Sequence, residues 1–277
     1  MRPENSIESH HFEALGTTCA LFAVGLARAR LLEAEDWTRR TGARLTRFSP
    51  DSELSILNAS AGRWVDVGAE LEAVLRESLL AFELSAGLVN VAVLPAMLAA
   101  GYTRSLAEGP TVATLDARGV PRLPDVLEVG RGRARIAPGS GVDLGGIAKG
   151  WMADRLCEMF GPNFVANLGG DLRAAGAGPR GDGWPVGIGG TTLALRDHGA
   201  ATSSVRRRRW GAALHHLIDP RSGLPARTGL DEVSVVARSA VEAEVVAKTA
   251  LVLGPDLAPA YCARHALAYW LEASHDG

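Results

Sequence analysis

Val142-Asp143-Leu144-Gly145-Gly146-Ile147-Ala148-Lys149-Gly150 runs from a short apolar segment through paired glycines into a stretch with helical spacing. That order predicts a turn followed by a helix over Ala148–Met159. Paired glycines let a ligand approach the backbone closely, and a helix start offers N–H groups to a phosphate. Asp143 has the chemistry to accept from a ligand hydroxyl or amine. Lys149 can place positive charge beside a pyrophosphate. The pattern is neither a Walker loop nor GxGxxG. A plain strand-turn-helix junction with an exposed lysine therefore stays open beside phosphate binding.

Outward from this junction, strands and helices mix without βαβ alternation. Phe164-Val165-Ala166-Asn167, Val186-Gly187-Ile188 and Asp231–Ala237 read as strands, the first two buried. Val241–Leu253 reads as a helix that stops at Gly254-Pro255, and Glu70–Ala86 as one that ends at Gly87. Thr18 to Arg40 holds a strand followed by a helix. Val112 to Gly141, broken by Gly and Pro, is expected to be a meander of short strands. The mixture predicts an α+β fold in one domain spanning 1–277, and no repeat argues for a solenoid.

Four further stretches can carry chemistry. Asn167-Leu168-Gly169-Gly170-Asp171 follows a buried strand, where a glycine pair marks either a ligand close to the backbone or a simple turn. Arg206-Arg207-Arg208-Arg209 could meet phosphates, but in a strand at most two of the four share a face. His216 stands three residues before Asp219 in His215-His216-Leu217-Ile218-Asp219-Pro220-Arg221-Ser222-Gly223. It is read either as a structural histidine or as a proton-transfer group. Glu244 and Lys248 lie i,i+4 on a helix with Glu first, the favourable order for an ion pair, in an almost wholly apolar neighbourhood.

Composition narrows the classes. The 277 residues are 47% hydrophobic and 22% charged, which fits a globular chain and excludes disorder. A net charge of -2 and the lack of aromatic interleaving around the arginines argue against nucleic acid as a partner. No signal-peptide pattern or apolar run of spanning length is visible, so neither secretion nor membrane insertion is expected. Three separated cysteines read as reduced core thiols of a cytoplasmic protein. Only two of the 29 basic residues are lysines, Lys149 and Lys248, and both fall in the segments above.

In order along the chain, these segments resemble the ApbE family of flavin-binding proteins, best known as FAD:protein FMN transferases. Leu15-Gly16-Thr17 resembles the family's Met-Gly-Thr start, and Phe48 with Pro50–Asn58 its DPDSELSRLN stretch. Asp143–Gly150 matches DLGGIAKG, and Asn167–Asp171 matches NxGGD. His216–Gly223 matches the family's H-I/L-I-D-P-R-T/S-G, and Ala243–Gly254 corresponds to its ADALATALFVLG helix. The resemblance implies a T-fold-related scaffold that binds FAD in an extended cleft. Leu15 and Phe48 would line the flavin or adenine pocket, and Asp143 and Lys149 would contact FAD. Leu217 and Ile218 would pack nearby, with Asn167 and Gly169 also at the cofactor. His216 would activate the Ser or Thr hydroxyl of a target protein, supported by Asp219, as FMN passes to it and AMP leaves.

In the family an Asp and a Thr of the last-named helix, with a backbone carbonyl at the Gly146 position, ligate a divalent cation, usually Mg²⁺. Here the helix positions hold Glu244 and Lys248; Glu244, with the Gly146 carbonyl, could still bind Mg²⁺, but an ammonium beside the ion would repel it and has no lone pair to give a metal. The expectation is that Lys248 replaces the ion, paired with Glu244 and aimed at the FAD pyrophosphate. A second departure is Asn90-Val91-Ala92-Val93-Leu94-Pro95 in place of a DPTVLPAL-like run, which is expected to reshape one wall. The altered helix leaves two alternatives to transfer: a flavin carrier or sensor, and an FAD pyrophosphatase giving FMN and AMP.

Overall fold

Seven strands cross one sheet in chain order, every neighbouring pair antiparallel: β1 (Ile7–Ala14), β2 (Thr17–Val24), β3 (Phe164–Leu168), β4 (Asp171–Ala175), β5 (His198–Ser204), β6 (Leu230–Ala237) and β7 (Ala268–Ala273). The computed structural model describes residues 6–210 and 214–274. Between β2 and β3 the chain leaves the sheet to form α1 (Arg28–Leu45), α2 (Glu53–Asn58), α3 (Ala69–Leu84) and α4 (Ala148–Phe160). After β6 come α5 (Ala240–Leu253) and α6 (Ala258–His265).

Strand alternation divides the sheet into two faces. Ala201, Val233, Val235 and Ala237 turn toward the helical side and pack with α5 and α6. Val165, Ala174, Ala200 and Val236 turn the other way, onto a hairpin of Trp184–Ile188 and Thr191–Leu195. A third cluster joins β1 to β3 with α1, α3 and α4. The segregation of helices to one side of an antiparallel sheet makes the fold α+β.

Two ties set α4 against α5. Asp154 on α4 accepts from the backbone N–H of Ala240 (2.8 Å) and Val241 (3.0 Å), capping the start of α5 beside Ser239. The start of α5 in turn lies so close to β5 that a Cβ on Gly199 would strike the backbone of Ser239 and Ala240. Glu244, one turn further along, is thereby fixed beneath the first turn of α4.

Some expected elements differ. Val112 to Arg122 forms no strand; Val112 is 87% exposed, and this stretch is held through loop contacts such as Val120 N–H to Pro220 O at 2.7 Å. Only Leu127–Val129 and Arg133–Ile136 of the anticipated meander pair, joined by Val65–Asp66 in a small sheet. Val186 is half-buried, because its hairpin covers the sheet from outside. Arg206–Arg208 follow the end of β5 in a bend, with strand resuming only at Arg209–Trp210, so the strand alternation argued for the four arginines does not apply. Strands β1 and β7, both edges and mostly half-exposed, escaped the sequence reading.

The three cysteines are buried and unpaired, and burial pushes their thiols up, Cys19 and Cys262 to about 11 and Cys157 to about 12. Among the described residues no helix is long and apolar enough to cross a membrane.

Candidate active site

The wall begins at the β1–β2 turn, where Leu15 (φ +56°) and Gly16 (φ +66°) both take the positive φ that a two-residue hairpin of type I′ requires. Asn or Asp usually precedes the glycine; a leucine is held there against local preference, its side chain packed over Gly42. A second wall follows from the end of α1. Arg47, whose side chain is only 5% exposed, donates to Asp143 Oδ2 at 2.5 Å and to the Tyr102 carbonyl at 2.7 Å. Its guanidinium also lies 4.3 Å from the Phe48 ring centre and 4.6 Å from that of Tyr102.

The glycine junction is held from several sides. Ser52 caps α2 by accepting from Ser55 N–H, and Asn58 at the end of that helix clasps Val142. Its amide donates to Val142 O (2.9 Å) and accepts from Val142 N–H (2.8 Å). Asp143 N–H donates to Val91 O, while Asp143 Oδ1 accepts from Gly145 N–H at 2.8 Å. The N–H groups of Ile147 and Ala148 go to Leu144 O, and that of Gly150 to Glu244 Oε2 at 3.1 Å. Much of the junction's anion-binding capacity is therefore used internally, and side chains provide the positive charge instead. At Asn90, Oδ1 accepts from Ala92 N–H and the amide donates to Pro121 O, so this wall is anchored through an asparagine cap.

Glu244 is 4% exposed and would be costly to bury unpaired. Its Oε1 lies 3.6 Å from Lys248 Nζ and 3.8 Å from Lys149 Nζ. Lys149 also pairs with Asp171, at the start of β4, and Lys248 donates to Gly146 O at 2.5 Å. Burial pushes Lys149 down to about 8 against the pull of Glu244, with Arg208, Lys248 and Arg207 adding to the depression.

The two histidines divide their roles. His215 Nε2 donates to Ala226 O (2.9 Å) and Nδ1 accepts from Leu217 N–H (3.3 Å), an arrangement that requires the neutral ring. His216 faces the cavity, and its buried Nδ1 has no partner among the described residues. Burial first, then the charges of Arg208 and Lys248, hold its ring well below the usual histidine range.

Leu15, Phe48, Asp143, Gly146, Lys149, His216, Leu217, Ile218 and Lys248 thus line one cavity of about 630 Å³, within the span of about 300–1,000 Å³ usual for small-molecule sites. Four expected residues stand behind its wall. Asn167 Oδ1 accepts from Gly170 N–H in the β3–β4 turn. Gly169 gives that turn room beside Thr17. Asp219 is clamped by Arg221 Nε and Nη2, and Glu244 supports the lysines. Sequence reading missed Arg47, Tyr102 and Arg208, which also line the cavity. The Phe48 motif pointed near the first, and the arginine run contained the third.

The cavity is apolar along the Leu15, Phe48 and Ile218 side and carries cationic groups at Lys149, Lys248 and Arg208. Residues 15–271 match the ApbE family, and the chain belongs to it. It is similar to the FAD:protein FMN transferase of Haemophilus influenzae, 26% identical over 267 residues covering 86% of this chain and 77% of that protein. With the FAD:protein FMN transferase of Treponema pallidum it shares 31% identity over 237 residues, 74% of this chain and 66% of that one. Its fold is that of a mutant of the flavin transferase ApbE from Vibrio cholerae (TM-score 0.82, 22% identity, 97% and 95% covered). The apo flavinyl transferase ApbE of Pseudomonas stutzeri is equally similar in fold (TM-score 0.83, 22% identity, 98% and 92% covered).

Proposed function

We propose that this chain, acting as one domain, is an FAD:protein FMN transferase that moves FMN from FAD to a Ser or Thr hydroxyl of a target protein. The observation that carries it is a neutral His216, one ring nitrogen unpartnered, in a cavity that Lys149, Lys248 and Arg208 also line. The acceptor oxygen bonds to the phosphorus on the FMN side, the P–O bond to the bridging oxygen breaks, and AMP leaves with that oxygen. His216 takes the hydroxyl proton. Phosphoryl transfer of this kind rests mostly on positioning and charge neutralisation. Lys149 and Lys248 supply positive charge, and the Leu15 and Phe48 walls receive the aromatic rings.

The donor set does not fit Mg²⁺. That ion needs near-octahedral oxygen ligands at about 2.0–2.1 Å. Glu244 is engaged by Gly150 N–H and two ammonium groups, and Gly146 O by Lys248. Among the described residues no group of three His, Cys, Asp or Glu could hold a metal. Lys248 then does the work of a divalent cation.

Purified protein incubated with FAD and a flavinylation-motif protein tests the activity. A fluorescent, covalently labelled target is expected. Free FMN and AMP without labelling would make the chain a pyrophosphatase, and unchanged bound FAD a carrier; either outcome removes the transferase.

A further inference from the structure

Of the four consecutive arginines, three are exposed, and two of those have assigned contacts. Arg206 pairs with Asp231 (2.8 Å) and Glu272 (2.7 Å), and Arg207 donates to Gly169 O (3.3 Å). Arg209 is exposed on a two-residue strand. Arg208 is half-buried and lines the cavity, and among the described residues it has no hydrogen-bond or ion-pair partner.

Its backbone is at φ +50°, a region that side-chain-bearing residues rarely take. Anchors on both sides hold that conformation. Before it stand the ion pairs of Arg206. After it stands buried Trp210, whose indole N–H donates to Ala100 O at 2.8 Å and whose ring lies 5.3 Å from that of Tyr102. The positive φ breaks the strand and presents Arg208 to the cavity.

We propose that Arg208 is the residue that grips the phosphoryl oxygens of the ligand in this cavity. This inference rests on the FAD reading of the site. Lys149 and Lys248 already have Asp171 and Glu244 as partners, so Arg208 brings the positive charge left uncompensated among these five groups. A diphosphate brings at least two negative charges, and a guanidinium matches two phosphoryl oxygens at once, as an ammonium cannot. It lines the same cavity as His216 and Lys149, and its charge disfavours protonation of both.

The test is fluorescence titration of the full chain with FAD, ADP and riboflavin, the last having no phosphate. Arg208→Met is expected to weaken FAD and ADP binding by about 10- to 100-fold, the worth of one charge-assisted hydrogen bond, and to leave riboflavin unchanged. Arg209→Ala is expected to alter none of the three. FAD and ADP binding unchanged in Arg208→Met overturns the proposal, as does an equal loss of riboflavin with Arg208→Lys behaving as wild type. If Arg208→Met does not fold, Arg208→Lys decides: selective weakening of FAD and ADP supports the grip, and no change overturns it. A wild-type chain that binds riboflavin but neither FAD nor ADP overturns the FAD reading itself, and this inference with it.

Discussion

Lys248 Nζ sits 2.5 Å from the carbonyl oxygen of Gly146, across 102 positions of sequence, and joins the second helix of the site to the glycine junction of the first. Mg²⁺ up to millimolar concentration is therefore expected to leave the melting temperature of the wild type unchanged, since a ligand bound to the native state would raise it. Lys248→Thr exchanges the ammonium for a hydroxyl with lone pairs and should create Mg²⁺-dependent stabilisation. Calorimetric titration showing tight Mg²⁺ binding to the wild type, lost in Glu244→Gln, would sink the substitution of ion by lysine.

Glu244 is the common partner of both lysines and of Gly150 N–H. Removing its charge leaves Lys149 with Asp171 alone and Lys248 with no carboxylate partner among the described residues, so Glu244→Gln should destabilise the fold by about 3 kcal/mol. Lys248→Met removes one of those ammoniums, and the double variant should recover part of the loss. Denaturant unfolding of the two single variants and the double variant measures the coupling; strict additivity would mean that the pair is not coupled.

The adjacent histidines should separate cleanly. His216→Ala is expected to lower flavin transfer by about 10²–10⁴-fold, as loss of a general base does, while FAD still binds. His215→Ala leaves Ala226 O and Leu217 N–H without their partner and should cost about 2 kcal/mol of stability. Transfer that survives His216→Ala undiminished would take that residue out of the mechanism.

How much of this was legible in the sequence depends on how local each cause is. Asp143–Gly150 read correctly as a turn into a helix, because glycine pairs and helical spacing act over a few residues. The role of Asn58 did not show, since it clasps Val142 84 positions away. Arg208 was hidden for a different reason: four identical side chains give no pattern, and one positive φ decides which of them enters the cavity. Asn167 and Gly169 were expected at the ligand, and the β3–β4 register puts Asn167 in β3 opposite Leu172 and Gly169 in the turn that follows, both outside the cavity lining. The interior of the site comes from long-range pairing that only the sheet and the α4–α5 contact bring about.

The pH profile should report the two perturbed groups of the cavity. Burial first, then the charges of Arg208 and Lys248, hold His216 well below 6.5, so it is neutral and able to accept a proton at neutral pH. Lys149, among Asp171, Glu244, Lys248, Arg207 and Arg208, is pushed down to about 8 and loses its charge above that. The free-enzyme parameter kcat/KM should then show no step near 6.5 and fall above about pH 8, by about tenfold per unit. Lys149→Arg keeps its charge throughout and should remove the alkaline limb. Stability carries its own sign. With the folded pKa of His216 depressed, the unfolded chain binds the proton more readily, so its contribution is present above 6.5 and is lost as pH falls below it. His216→Phe should accordingly flatten the acid side of the stability curve, and a wild-type kcat/KM that stays level past pH 9.5 would show that the charge on Lys149 is not needed.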